Sequence, residues 1–140
     1  MVDLLVKLPE KQPALRVMPM PADVNQHGDV FGGWIMSQMD IGGAILAKEM
    51  ARGRVVTVAV DAITFLKPVT VGDVVCCYAH CIRTGRSSIT VNMEVWVKKV
   101  SSEPIGQRYC VTEAIFTYVA VSDEGKSRAL PDGKRNYTAE

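Results

Sequence analysis

The chain has 140 residues, which is enough for one domain with a sizeable core and too few for two. Its 16 basic and 15 acidic residues nearly cancel. The broad electrostatic attraction that binds nucleic acid or an anionic membrane is therefore not expected. Any anionic ligand must be held by a local group of charges.

The first residues, MVDLLVKLPEK, contain an apolar run of only three residues between charges, which is far shorter than the core of a signal peptide. No stretch approaches the ~20 apolar residues that a membrane span needs. We therefore expect a cytoplasmic protein without a membrane segment. The four cysteines lie in apolar runs without paired CxxC spacing, which favours buried reduced thiols over disulfides or a metal site; they are Cys76, Cys77, Cys81 and Cys110.

Residues 1 to 32 are rich in Pro, Asp, Asn and Gly, and they predict at most one short strand, around ALRVMPM, before a long loop. From Gly33 to about Met50, apolar residues recur near helical spacing. Gly53 follows where a helix stop is expected, and Lys48 and Arg52 favour that end of the helix dipole. This pattern predicts one helix of about five turns.

Four runs with strand periodicity follow the helix, separated by the turn signals KPVTVGD, TGR and SSEPIG; the runs cover 55–66, 73–82, 87–100 and 107–121. The third alternates most clearly, because every second residue from Ile89 to Val97 is apolar. The final SDEGKSRALPDGKRNYTAE is polar and predicts a frayed tail. The elements predict an α+β fold in which an antiparallel sheet wraps around one long central helix.

Asp40 lies about two turns into this helix, and none of the residues three, four or seven positions away is a cation. On a stripe of small and apolar residues, a carboxylate becomes a better proton acceptor near neutral pH. The alternative is an exposed carboxylate on the helix surface. Gly42 and Gly43 each cost ~1 kcal/mol against Ala, which predicts either a ligand or backbone passing close by, or tight packing on the sheet.

The segment GDVFGG precedes the helix and leaves main-chain N–H groups near Phe31, Gly32 and Gly33 unpaired at its positive end. Such amides suit a developing oxyanion. Glycine also lets a carbonyl approach the backbone without a side chain in the way.

The stretches NQHGDVFGGWIMSQMDIGGAILAKE, VVTVAVDAITFLKPVTVGDVV, EVWVKK and EPIGQRY together resemble the hotdog-fold acyl-CoA thioesterases, closely their small bacterial YciA-type members. The similarity runs from about residue 16 to 131, within a single domain over 1–140 whose ends, 1–12 and 122–140, are peripheral or flexible. The resemblance implies an obligate homodimer with each active site between subunits, and dimers grouped as a trimer of dimers.

The resemblance implies that the reacting pair in related enzymes is a helix Asp and the Asn of the preceding loop, which are supplied by opposite protomers. The corresponding residues here are Asp40 and Asn25. The resemblance also implies that the amides of Gly32 and Gly33 polarise the thioester carbonyl. His27 lies in the same loop but outside the family pattern, and we interpret it as a solvated or capping residue.

Coenzyme A (CoA) carries several phosphate charges, so a local cluster of cations and hydroxyls is expected. The RTGRSS turn offers one; its candidate residues are Arg83, Thr84, Arg86, Ser87 and Ser88. The alternative is that these residues form an ordinary hairpin turn with solvated charges. Family members also place the region of Lys67 near the ligand. No cofactor is expected, since CoA is part of the substrate and product.

These features predict hydrolysis of acyl-CoA thioesters, with a broad chain-length range implied by the resemblance. Asp40 would act as general base or as nucleophile, and Asn25 of the partner subunit would orient water or substrate. Two alternatives stay open. One is a dehydratase or hydratase in which His27 and Asp40 share acid and base roles, and the other is an acyl-CoA sensor without turnover.

Overall fold

The computed structural model describes residue 9 and residues 12–131, so the predictions for the rest of the N-terminal segment and for 132–140 lie outside the described residues. One helix packs on a five-stranded antiparallel sheet with strand order β1-β3-β4-β5-β2, as the sequence predicted. The elements are β1 (Leu15–Val17), a 3-10 turn (Pro21–Asp23), α1 (Gly32–Ala51), β2 (Val55–Phe65), β3 (Val74–Thr84), β4 (Ser88–Lys98) and β5 (Arg108–Ala120).

Helix α1 begins one residue earlier than predicted and ends where Arg52 adopts the left-handed conformation, with φ of 55°. Its apolar stripe faces the sheet; the buried members include Ile35, Met39, Leu46 and Met50. The inner face of β4 meets this stripe with alternate residues that are fully buried; these are Ile89, Val91, Met93, Val95 and Val97. The period of 3.6 on the helix and of 2 on the strand thus produce one shared core.

The outer face of the sheet, opposite the helix, carries a second buried cluster of Cys76, Tyr78, Trp96 and Cys110. All four cysteines of the chain have free thiols, and three of them are buried. Burial, with the neighbouring Cys76, raises the pKa of the Cys77 thiol to about 12. This thiol therefore behaves as a small apolar side chain.

Strand β2 is an edge of the sheet, because it pairs only with β5 and its other edge has no strand partner among the described residues. Val58 and Phe65 on this strand are about half exposed, and so are Ile41 and Ile45 on the neighbouring helix. A long edge strand next to exposed apolar side chains is a surface suited to pairing with another chain.

Residues 122–131 differ from the expectation of a frayed tail, because they pack on the helix end and the β3–β4 turn. Arg128 donates from its guanidinium to the carbonyls of Ala51 and Val121, each at 3.0 Å. Leu130 is 93% buried, and its N–H donates to the Arg86 carbonyl at 2.8 Å. A guanidinium at the negative end of a helix satisfies an otherwise unpaired carbonyl, and this explains why the polar composition misled the prediction.

No helix within residues 12–131 is both long and apolar enough to cross a membrane.

Candidate functional site

Asp40 lies partly buried on α1, on the side that faces the start of β2, and one of its carboxylate oxygens accepts two hydrogen bonds. Thr57 Oγ1 donates to Asp40 Oδ1 at 2.6 Å. Tyr118 OH lies 3.2 Å from the same oxygen and 2.9 Å from the main-chain oxygen of Asp40. The second carboxylate oxygen, Oδ2, accepts no hydrogen bond from the described residues. The carboxylate is thus oriented through one oxygen while the other is available.

Gly43 makes the contact between the Tyr118 hydroxyl and Asp40 possible. A Cβ built on Gly43 would overlap the Tyr118 phenol, with Cζ and Cε2 at 3.0 Å and the hydroxyl closer still. Gly42 is less constrained, because its Cβ would meet Cys77 Cβ and Met93 Cε at an ordinary 3.4 Å. Of the two alternatives that the sequence left open, tight packing on the sheet therefore applies to Gly43, whose missing side chain makes room for Tyr118 of β5.

Tyr118 is fully buried in strand β5, so its hydroxyl reaches Asp40 from inside the core. Burial raises the pKa of the Tyr118 phenol, and the charge of Asp40 together with their hydrogen bond raises it further. The phenol therefore stays protonated at every physiological pH. It acts on Asp40 as a permanent hydrogen-bond donor.

The start of α1 leaves two main-chain amides unpaired. The Phe31 N–H donates to the Asp23 carbonyl at 3.1 Å, so it is not free as the sequence suggested, whereas Trp34 and Ile35 donate to the Phe31 carbonyl. The N–H groups of Gly32 and Gly33 have no acceptor among the described residues, and no side chain caps the helix. Unpaired amides at the positive end of a helix are suited to binding an anion.

The two glycines have different surroundings. The ring of Phe65, at the end of β2, lies 3.3 Å from a Cβ built on Gly32. A Cβ on Gly33 would have nothing within 4 Å. Gly33 therefore borders open space among the described residues of one chain.

Asn25 is held in a tight turn that precedes the helix. Its Oδ1 accepts the N–H of His27 at 2.8 Å and that of Asp29 at 3.1 Å, which is the Asx-turn pattern. Its side-chain NH2 group makes no hydrogen bond within the described residues. With its oxygen occupied, Asn25 can offer only its amide N–H groups to a ligand.

Asp40 and the two free amides lie apart within one chain. Seven residues of helix separate Gly33 from Asp40, so their backbones are ~11 Å apart along the axis. A reacting carbonyl needs both its oxyanion donors and its attacking group within ~3 Å. No hydrogen bond within the described residues joins Asp40 to Asn25 or to His27 either. One chain alone therefore does not assemble the predicted set, and the dehydratase pairing of His27 with Asp40 is not formed in it.

The predicted CoA-binding residues fall into two groups. Lys67 follows β2 at the end of the sheet where the helix begins, and its Nζ lies 5.4 Å from the centre of the Tyr109 ring. The other group, residues 83–88, forms the β3–β4 turn at the opposite end, with the Gly85 N–H donating to the Ser88 carbonyl at 2.9 Å. Strands of 11 residues separate the two ends by about 30 Å. The two groups of one chain cannot hold the same phosphates.

Sequence reasoning missed Thr57 and Tyr118, the two donors to Asp40. A signal existed for Thr57, because a hydroxyl interrupts the apolar run VVTVAV of β2. Tyr118 in IFTYVA looks like any core aromatic residue, and only the pairing of β2 with β5, which puts Thr57 opposite Tyr118, brings both to the helix.

The chain is similar in sequence to known thioesterases. Residues 27–102 match the profile of the Thioesterase superfamily. The acyl-CoA thioester hydrolase YciA of Escherichia coli K12 is 68% identical over 124 residues, which span 89% of this chain and 94% of that protein.

The chain is also similar to solved structures of thioesterases. The hexameric thioesterase of Yersinia pestis is 74% identical, with a TM-score of 0.86 over 89% of this chain and all of that one. A hexameric broad specificity acyl-coenzyme A thioesterase is 60% identical, with a TM-score of 0.87 over 95% of this chain and 90% of that one. The architecture of one helix on a five-stranded sheet is the hotdog fold, as predicted.

Proposed function

Because the chain belongs to the thioesterase superfamily, among the YciA-type acyl-CoA thioester hydrolases, we propose that it hydrolyses acyl-CoA thioesters to a carboxylic acid and free CoA. The observation that carries this proposal is the Asp40 carboxylate, which is held through Oδ1 by Thr57 and Tyr118 while Oδ2 has no partner among the described residues. Oδ2 is then the atom that removes a proton from water or attacks the thioester carbonyl.

The remaining groups come from the other subunit. Since ~11 Å of helix separates Asp40 from Gly33 in one chain, a single carbonyl contacts the Asp40 of one protomer and the Gly32 and Gly33 amides of its partner. Asn25 lies in the turn beside those amides, and it acts from the same partner subunit. Its free NH2 group donates to the water or to the thioester oxygen.

The exposed edge of β2 supports this dimer. Two β2 strands from different subunits can pair edge to edge, which would satisfy their main-chain groups and cover Val58, Phe65, Ile41 and Ile45. The hexameric relatives support a further grouping into a trimer of dimers. The similarity to a broad specificity acyl-coenzyme A thioesterase supports a broad range of acyl chain lengths in the substrate.

The two groups of candidate CoA contacts also fit an assembly. Lys67 lies at the end of the sheet where the helix begins, next to the amides that would hold the carbonyl. The β3–β4 turn, residues 83–88, lies ~30 Å away and would contribute to the site of another subunit. The cations of both groups then bind the phosphates of CoA.

The reaction needs no cofactor beyond the substrate itself. Four free thiols, three of them buried, suit a reducing compartment, and this supports the cytoplasmic location predicted from the sequence.

A thiol-release assay on a panel of acyl-CoA substrates tests the activity. Wild type should release CoA thiol, and Asp40→Asn and Asn25→Ala should lower the rate by about 100-fold or more, as expected for loss of a general base or an oriented donor. Asp123→Asn, in an exposed turn, is the matched control and should keep wild-type activity. If wild type binds the substrates but releases no thiol, the sensor alternative holds and the proposal is wrong.

A mixed dimer tests whether the residues act across subunits. In a dimer of one Asp40→Asn chain and one Asn25→Ala chain, the cross-subunit arrangement leaves one site intact and one doubly substituted. Such a dimer should recover about half of the wild-type activity. If both residues act within one chain, each site carries one substitution and no activity returns.

A single turnover in oxygen-18 water tests whether Oδ2 attacks the thioester carbonyl. Label that enters the protein carboxylate indicates nucleophilic attack and a mixed anhydride. Label found only in the released acid shows that the water oxygen attacked the acyl carbon, as direct activation of water by Asp40 requires.

A further inference from the structure

The outer face of the sheet, opposite the helix and the candidate active site, holds a cavity of about 370 Å³. Its walls include the rings of Tyr78 and Trp96 and the charged side chains of Arg16, Lys98 and Arg108. This volume lies in the range of small-molecule sites. The thioesterase proposal uses none of these residues.

The strand register explains why the three cations meet. Arg16 on β1 is opposite Cys76, which is opposite Trp96, so β1, β3 and β4 form one row across the sheet. In the next row Lys98 on β4 is directly opposite Arg108 on β5. Three strands thus each bring one cation to the same cavity.

The charges in this cavity are not balanced. Arg16, Lys98 and Arg108 make no ion pair with any described residue, and Arg16 has only a 3.5 Å contact with the Gln12 side chain. Glu94 is the acidic residue that faces Tyr78 together with the two arginines, and its carboxylate accepts the Trp96 indole N–H at 2.9 Å. Like charges directly opposite each other on paired strands destabilise a sheet, so the Lys98–Arg108 pair has a cost that an anion would remove.

Two of the residues that line the cavity are aromatic. Tyr78 and Trp96 are each 6% exposed, and they belong to one apolar cluster with Cys76. Burial raises the pKa of the Tyr78 phenol, so its hydroxyl remains a neutral donor. The lining of the cavity thus combines aromatic side chains with three cations.

We propose that this cavity, the outer-face cavity, is a second binding site for a small multivalent anion that carries a planar apolar part. The guanidinium groups of Arg16 and Arg108 bind its carboxylate or phosphate oxygens, Lys98 adds a point charge, and the planar part lies on Tyr78 and Trp96. The site is separate from the hydrolytic one, so its occupancy does not depend on the proposed thioesterase activity.

Thermal unfolding of the full chain in its native assembly tests the proposal, with benzenetricarboxylate as probe at constant ionic strength. The probe should raise the Tm of wild type and of the control Lys126→Gln, which removes a cation from a distant exposed turn. Lys98→Gln and Arg108→Gln should lose this shift. Without probe, each should have a Tm about 2–4 °C above wild type, because the opposed charges are gone.

Citrate carries similar charge without a ring and should raise the Tm less. Saturating CoA should leave the benzenetricarboxylate shift in place. The proposal is overturned if all four proteins respond alike, if citrate matches benzenetricarboxylate, or if CoA abolishes the shift, since the cations would then bind the phosphates of the substrate. A change of assembly mass in Lys98→Gln or Arg108→Gln would assign the cavity to a contact between copies of the chain and would also overturn it.

Discussion

Replacing Tyr118 with Phe isolates the hydrogen bonds that orient Asp40. Phe keeps the buried ring against Gly43 and deletes only the hydroxyl, which lies 2.9 Å from the main-chain oxygen of Asp40 and 3.2 Å from its Oδ1. The hydroxyl has one proton, which the two oxygens share, so their contributions do not add. The contact with the carboxylate is charge-assisted but long, and the main-chain oxygen keeps its helical partner. The free energy of unfolding should therefore fall by ~1–2 kcal/mol.

The same substitution should act on catalysis, because Thr57 alone then holds the Asp40 carboxylate. We expect kcat to fall about tenfold, equivalent to ~1.4 kcal/mol in the barrier, with KM unchanged, because Tyr118 is buried and touches no substrate. Urea unfolding and steady-state thiol release measure the two effects. Tyr109→Phe is the matched control, since it deletes a phenol hydroxyl with no contact to Asp40. If Tyr118→Phe loses stability but keeps the wild-type kcat, Tyr118 does not position the carboxylate and the reasoning is refuted.

Other substitutions test the helix and the core. Gly33→Ala adds a methyl group with nothing within 4 Å and should raise the free energy of unfolding by up to ~1 kcal/mol. The rate of thiol release should fall, because the methyl group blocks the approach of the thioester carbonyl. An unchanged rate would exclude Gly33 from the active site. Gly43→Ala, whose methyl overlaps Tyr118, should lose about 1–3 kcal/mol of stability and most activity, and wild-type values for both would contradict the packing described for this glycine. The pKa of Cys77 rises from its ordinary 9.0 to about 12, so its contribution to stability is complete below pH 9 and is lost as pH rises toward 12. Chemical unfolding should therefore show wild type losing up to ~1.4 kcal/mol between pH 9 and 10, and Cys77→Ala losing less; equal losses would assign the alkaline transition to another group.

Much of the candidate site could be predicted from sequence because it depends on local rules. The amides of Gly32 and Gly33 are unpaired because every helix start leaves its first N–H groups without partners. Asp40 was predicted as the reacting carboxylate because none of the residues three, four or seven positions away is a cation, which is also a local property. Asn25 as a cross-subunit residue came only from family resemblance, and it stays a prediction.

The contacts of Asp40 could not be predicted, because they join residues far apart in the chain. Tyr118 is 78 residues from Asp40 and Thr57 is 17 residues away. They meet only through the register of β2 on β5. The same holds for the outer-face cavity, where Lys98 and Arg108 oppose each other across paired strands.

The sequence alone determined the element order, the apolar faces and the free amides at the helix start, because spacing of apolar residues and chain-end hydrogen bonding act over a few residues. Tertiary structure alone decided which oxygen of Asp40 is held, why Gly43 must lack a side chain, that residues 122–131 pack rather than fray, and that the two candidate CoA-binding groups lie at opposite ends of the sheet. Each of these depends on contacts between segments that are far apart in the chain, through strand register or through side-chain packing.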